Sequence, residues 1–414
     1  MIVGEIIKFY REKSGMTQSQ LGEGICTPTH VSKIEHGKTA YSPEIITLFS
    51  ERLQIDIQKE VETFQEIEKK LHSWHNAIIM QRIQLVEEYK QELEAIPYID
   101  SSKYGYFFRL LKARYFLLHD DGKRAFTIVQ QIQKDCQQLS LFERNLLCHV
   151  KGIYYLFYDK GNDNQRKAIH VLKEINPDDY GIKEYYYHLG VAFHCIDSKV
   201  MAYYYAKNAL DHFKKTNNFL KALNAESLLL IQIGKDRNND FLELEERYNS
   251  LIRDSEILGA PDKKGMMLNN LGHEYFRRGD YENSLKCLAK ALKIANRSTF
   301  TYTKRLYNYV DTAMKGKLLR KTILLKKARE GLSSAKQLDS TLYQILFKIH
   351  IYDLQDQKEQ YYHYLEQTAF PYLKTSKHVI YLNRYGKELY NYYIEIGQTT
   401  QALQIACFFM DNIE

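Results

Sequence analysis

The strongest constraint on this chain is a spacing that recurs along it. Leu271-Gly272 is followed by Tyr275, by Arg278-Gly279-Asp280-Tyr281, and then by Ser284, Leu288 and Ala291. Leu189-Gly190 is followed by Phe193 and by Ala202, Ala206 and Ala209, with nine residues from the aromatic to the first small side chain in both. Tyr393, Gly397, Ala402 and Ala406 repeat it, and Gly152–Tyr155 and Tyr115 with Ala125 are weaker copies. Small residues let two helices approach, the glycine makes the turn, and the aromatic ring fills the gap. A helix pair that cannot bury its apolar face alone must stack on its neighbours. The intervals of 82 and 118 residues between clear copies fit two and three units of about 40 residues. With 6 prolines and 20 glycines in 414 residues, a sandwich or barrel would lack its turns, so the chain is expected to be all-α.

The repeated spacing matches the tetratricopeptide (TPR) consensus. The resemblance implies seven to nine helix pairs over residues 97–414, stacked as a right-handed superhelix with a concave groove. In that register the concave positions of one unit are Met266, Asn269, His273 and Phe276, followed by Arg277. Taking Gly234 as the preceding turn puts Asn224 at the place of Asn269, and other units offer Tyr187, His194 and Arg384. An asparagine both donates and accepts, so it can hold both groups of an extended peptide backbone. Asn224, Asn269, His273, Tyr187, Phe276 and Arg277 are the candidate peptide contacts.

The first sixty residues follow another pattern. Ile6, Ile7, Phe9 and Tyr10 predict a helix running to about Lys13, closed by Ser14-Gly15. Thr17-Gln18-Ser19-Gln20 is a capping box for a short second helix anchored by Leu21. Thr27-Pro28 opens a third that buries Val31 and Ile34 and ends at His36-Gly37, and Ser42-Pro43 opens a fourth carrying Ile45, Ile46, Leu48, Phe49 and Leu53. The tight turn between the second and third is a helix-turn-helix arrangement.

Met16-Thr17-Gln18-Ser19-Gln20-Leu21 and Val31-Ser32-Lys33-Ile34-Glu35-His36-Gly37-Lys38 resemble the phage-repressor-type (Xre) DNA-binding domain. That resemblance implies a recognition helix whose N-terminal residues meet base edges. Thr27, Thr29, His30 and Lys33 are the candidates, with Gln18, Ser32 and Lys38 at the flanks where the family contacts phosphates. Residues 1–60 hold seven basic and eight acidic side chains, so bulk electrostatics contributes little and a homodimer or higher oligomer on double-stranded operator DNA is expected.

Domains are expected at 1–56, a linker-helix region at 57–96 (Phe64 to Ile79, then Gln84 to Ala95), and repeats at 97–414. A helix-turn-helix, a linker helix and divergent TPR units together resemble the peptide-pheromone-sensing regulators of Gram-positive bacteria, the Rap–NprR–PlcR–PrgX (RRNPP) group. The resemblance implies a cytoplasmic transcription regulator that binds a short signalling oligopeptide in the groove and changes oligomeric state or DNA binding. The alternative it carries is a TPR protein that binds and inhibits a second regulatory protein such as a response regulator, with peptide as antagonist.

Enzyme chemistry has no foothold. The glycines near Gly22 and Gly316 lack phosphate-loop spacing, and no nucleophile elbow stands out. The six cysteines, Cys26, Cys136, Cys148, Cys195, Cys287 and Cys407, are scattered and read as reduced buried thiols. His72 and His75 read as a surface pair without a third metal ligand. No cofactor, metal or membrane contact is expected: the N-terminus already reads as a helix and the apolar runs are short. The run Lys315 to Lys327, interleaved with leucines and isoleucine, reads as an amphipathic basic helix.

Overall fold

The computed structural model describes residues 2–97, 99–135, 139–159, 163–236, 238–376 and 378–411, and every regular element among them is helical. Cys136 lies outside the described residues. The chain divides into two compact units, Met1–Ala225 and Glu226–Glu414.

The N-terminal unit opens with α1 (Ile2–Lys13), α2 (Gln18–Gly22), α3 (Pro28–Glu35) and α4 (Pro43–Leu53). Each start is set locally. Thr17 and Gln20 form the expected capping box, Thr27 caps α3 ahead of Pro28, and Ser42 caps α4 ahead of Pro43. Gly15 and Gly37 take positive φ at the ends of α1 and α3. Ile7, Leu21, Val31, Ile34, Phe49, Leu53 and Ile57 make a small core. Leu48, expected in it, is 42% exposed, because α4 turns that face to solvent.

α5 (Ile57–Met80) and α6 (Ile83–Glu94) follow. The long α5 is packed along its length: Ile57 belongs to the small core, while Phe64, Ile67, Leu71, Trp74 and Ile78 join the core of the first repeats. α1 lies between the two cores, with Ile7 in one and its sequence neighbour Ile6 in the other. A helical step of about 100° is enough to aim adjacent residues at different partners. His75, expected at the surface, is 1% exposed against Phe107 and Phe142, because the buried stripe of α5 includes its position.

Paired helices come next: α7 (Gly105–Leu118) with α8 (Gly122–Asp135), α9 (Leu141–Phe157) with α10 (Asn164–Lys173), a short α11 (Pro177–Tyr180), and α12 (Tyr185–Cys195) with α13 (Lys199–Lys215). α14 (Phe219–Gly234) carries the division between units and precedes α15 (Phe241–Ile257). The C-terminal unit continues with α16 (Pro261–Arg277) and α17 (Tyr281–Ile294), then α18 (Phe300–Lys315) and α19 (Lys321–Gln337). Next come α20 (Thr341–Leu354) with α21 (Lys358–Tyr364), which runs through a π-helical turn into α22 (Phe370–Ser376). α23 (Val379–Glu395) and α24 (Thr399–Asp411) close the series.

The repeat spacing does what its residue types require. A Cβ on Gly272 would lie 2.8 Å from Leu288, and the Ser284 hydroxyl donates to the Gly272 carbonyl at 2.7 Å where α16 and α17 cross. Ala202, Ala206 and Ala209 are fully buried on α13, and Phe193 stacks on Tyr205. Gly234 departs from the expected turn: it is the last residue of α14, and its missing side chain makes room for the Glu274 carboxylate. The Lys315 to Lys327 run is not one helix, because α18 ends at Lys315 and α19 begins at Lys321. Cys195 and Cys407 are exposed rather than buried.

Candidate DNA-reading helix and groove

α3 presents Thr29 and Lys33 to solvent, with His30 and Ser32 half-buried beside them and Lys38 exposed past the helix end. Two of the expected contacts already have structural work. The Thr27 hydroxyl oxygen accepts from the His30 amide at 3.3 Å as the N-cap. The Gln18 side-chain amide donates to Glu35 at 2.8 Å. Glu35 is buried and takes the Arg11 guanidinium, Nε to Oε1 at 2.6 Å, while Arg11 also donates to the Met16 carbonyl at 2.8 Å. Arg52 donates to the carbonyls of Leu21 and Glu23 at the end of α2. Arg11 and Arg52 thus hold the domain together, leaving five lysines as its remaining basic side chains. α1 also fixes where α3 ends: a Cβ at Gly4 would fall 2.2 Å from the Ile34 carbonyl oxygen.

In the C-terminal unit a polar strip runs across α16, α18, α20 and α23. Asn269 on α16 is buried, and its side-chain oxygen accepts from Asn308 on α18 at 3.0 Å. One turn further along α16, His273 is pushed down to about 4 by burial, with Lys304 and Arg277 lowering it further and Asp311 opposing. Asp311 on α18 takes both terminal nitrogens of Arg384 on α23, at 2.7 and 2.8 Å, and lies 3.5 Å from His350 Nε2 on α20. Burial alone would raise the Asp311 carboxyl, but the Arg384 hydrogen bonds and the nearby His350 and Lys315 hold it below its ordinary value. Burial pushes His350 down to about 4. Its ring stacks on Tyr307 at 4.9 Å, and the Tyr307 and Tyr385 hydroxyls are 3.4 Å apart. Asp311, His350, Arg384 and Tyr385 line a cleft of about 400 Å³ together with Lys315, Lys387 and Glu388.

Of the residues expected in a groove, Asn269 and His273 lie on this strip. Phe276 is half-buried against Tyr281, with Lys315 over its ring. Arg277 is tied to Glu274, which Arg278 also holds. In the N-terminal unit Tyr187 is half-buried beside Phe213 with Lys221 over its ring. Asn224 on α14 is 8% exposed, and its side-chain oxygen has no hydrogen-bond partner among the described residues. Asn308, Asp311 and His350 were missed. A signal for Asn308 existed: it follows Asn269 by 39 residues, one repeat later.

A second polar cluster, also missed, is sealed inside the N-terminal unit. Arg114 on α7 pairs with Glu184 at 2.7 Å, the side chains being 5% and 1% exposed, and Lys221 on α14 lies 3.4 Å from the other carboxylate oxygen. His149 on α9 reaches the Tyr180 hydroxyl and His188 on α12, each at 2.9 Å. Glu184 is held well below its ordinary value: burial opposes this, but Arg114, Lys221 and the two histidines outweigh it. Burial pushes His75 and His188 down to about 3.

Residues 7–59 match the helix-turn-helix family model, so the chain carries that domain. Over 392 residues it is 21% identical to the transcriptional activator NprA of Geobacillus stearothermophilus, covering 90% of this chain and 94% of that one. Over 267 residues, 62% of this chain, it is 24% identical to the type II methyltransferase M.CeqI of Rhodococcus hoagii and spans 50% of that enzyme's length. The quorum sensor NprR from B. thuringiensis in its apo form superposes with a TM-score of 0.66 at 18% identity, covering 84% of this chain and 99% of that one. NprR in complex with its cognate peptide NprX gives 0.65 at 19%, covering 84% and 100%. A Rap protein complexed with competence and sporulation factor gives 0.69 at 14%, covering 84% and 97%. The chain therefore has an Xre-type helix-turn-helix and the helical-repeat solenoid fold of NprR and Rap.

Proposed function

We propose that this chain is a peptide-responsive transcription regulator. Its helix-turn-helix binds operator DNA as a homodimer, and a short oligopeptide along the polar strip of α16, α18, α20 and α23 switches oligomeric state or DNA binding. The observation that carries the reading is the presence in one chain of a capped recognition helix with Thr29 and Lys33 exposed and a buried-edged polar strip open to a cleft. Asn269, Asn308 and Arg384 offer backbone-type donors and acceptors there, and Asn224 has an acceptor without a partner among the described residues. NprR with its peptide and the activator NprA support the two halves. The domain's near-neutral charge supports a dimer, since one copy neutralises few phosphates, and Leu403 and Met410 on α24 are 63% and 70% exposed. The reading includes no catalysis and a cytoplasmic site of action; no described helix is long and apolar enough to cross a membrane.

The alternative, inhibition of a response regulator, is favoured by the likeness to Rap. A gel shift with the DNA flanking the chain's own gene, run with and without synthetic peptides from adjacent short reading frames, separates the two. A peptide-dependent shift supports the proposal. No shift, with capture of a response regulator instead, supports the alternative.

A further inference from the structure

Charge is unevenly distributed along this chain. Residues 281–337 hold fourteen basic and three acidic side chains, a net +11, against +7 for the whole chain, so the remainder sums to −4. Asp311 is consumed by Arg384, and Glu330 by Lys327 and Tyr302. On α17, Lys286, Lys290 and Lys293 are exposed at intervals of four and three residues, a single helical face. On α19, Lys326, Arg329 and Lys336 are exposed while Leu324, Ala328, Gly331 and Ala335 are buried on the other side. Both helices pack on α18: Arg305 donates to the Ala291 carbonyl of α17 at 2.9 Å, and Thr303 meets Ser334 of α19 at 2.7 Å. Among the described residues, none of these six cations makes an ion pair.

We infer that this outer face of α17 and α19 is a second, sequence-independent contact with the phosphate backbone of duplex DNA. The inference rests on the DNA-binding reading above and deepens it. The helix-turn-helix domain supplies little of the electrostatic part of binding, since residues 1–60 are net −1 and Arg11 and Arg52 are committed inside the domain. Duplex DNA presents one charge per about 1.7 Å of axis, a linear array of anions. The stripe from Lys286 to Lys293 is about 10 Å long at 1.5 Å per residue, so it suits such an array better than a single bound anion. A face of exposed, unpaired ammonium and guanidinium groups neutralises phosphates without reading bases.

The test uses the full chain and a random-sequence duplex several turns long, with binding followed across a salt series. The variant K286Q/K290Q/K326Q/R329Q changes exposed residues only, and a thermal melt checks its fold. Each lost phosphate contact removes about 0.9 from the slope of log affinity against log salt. The wild type is therefore expected to lose about 100-fold more affinity than the variant between about 50 and 200 mM salt. A second variant, H30A/K33A, is expected to lose preference for a selected operator over random DNA while keeping most of the slope. An unchanged slope in the quadruple variant overturns the inference, and the DNA-binding reading survives if H30A/K33A still loses operator preference. Unchanged DNA binding with lost binding to polyglutamate assigns the face to an acidic protein instead and also overturns it. A wild type that binds no DNA overturns both.

Discussion

Arg114–Glu184 and Arg384–Asp311 are the same chemical pair in two settings. The first is sealed: both side chains are at most 5% exposed, with His149, His75 and Lys221 gathered around them. The second opens on a cleft, with the Arg384 side chain 28% exposed and Asp311 10%. A sealed pair gains its Coulomb energy only by excluding water, and each partner is costly if left alone. An open pair leaves spare guanidinium donors where a ligand can reach them. The contrast separates residues that hold the solenoid together from residues available to bind.

Acid is the largest test of the contrast. His75 faces Arg114, Glu184 and His72, and His188 faces Glu184, Lys221, Arg114 and His149; both are held near 3, against about 6.5 unfolded. A depressed folded pKa means stability is intact above pH 6.5 and is lost as pH falls toward the folded value, at about 1.4 kcal/mol per pH unit for each group. Two such groups together remove on the order of 5 kcal/mol by pH 4.5. His149 beside them is also held well below its ordinary value, a third such group in this unit, against two held at about 4 in the C-terminal unit, His273 and His350. Trp74, the single tryptophan and fully buried in the N-terminal unit, reports on that unit alone. Its emission is expected to shift red before the bulk helical circular dichroism is lost; simultaneous loss of both signals would break the contrast.

Arginine-to-lysine exchange sharpens it. Arg114→Met leaves the buried Glu184 carboxylate only the longer Lys221 contact and is expected to cost about 3–5 kcal/mol, a drop of roughly 10 °C or more in melting temperature. Arg114→Lys is expected to recover only part of that, since an ammonium cannot fork between Glu184 and His149. Arg384→Lys keeps a cation beside Asp311 in a cleft where water can reach it. Its melt is expected to move little while peptide affinity falls about tenfold. Equal melting shifts for the two lysine variants would show that the open pair is structural too.

Smaller effects belong to single contacts. Asn269→Ala is expected to weaken binding of the cognate peptide by about 1–3 kcal/mol, roughly five- to 150-fold, leaving peptide-free DNA binding intact. Calorimetry beside a gel shift reads both halves, and Asn224→Ala gives the same comparison for the N-terminal unit. Thr29→Ala or His30→Ala is expected to cost about 1–3 kcal/mol on the operator and relax preference at one base pair. An equal loss on random DNA would reassign these residues to phosphate contact.

Amino-acid order alone determined what is settled within a few residues. Thr17 with Gln20, Thr27 with Pro28 and Ser42 with Pro43 start their helices because each cap reaches an amide only three residues away. Gly272 and Ser284 mark a helix crossing because two backbones can close only over small side chains. The same periodicity exposed Thr29 and Lys33 on α3. Tertiary structure decided which polar residues met. Arg114 and Glu184 are 70 residues apart and Asp311 and Arg384 are 73, so nothing local pairs them. Stacking decided that His75 is buried, that Gly234 accommodates Glu274 and that Arg277 is spent on the same carboxylate. A helix pattern says which face is apolar, but a polar side chain's role depends on whether a neighbour several units of sequence away excludes water from it, and that is a property of packing.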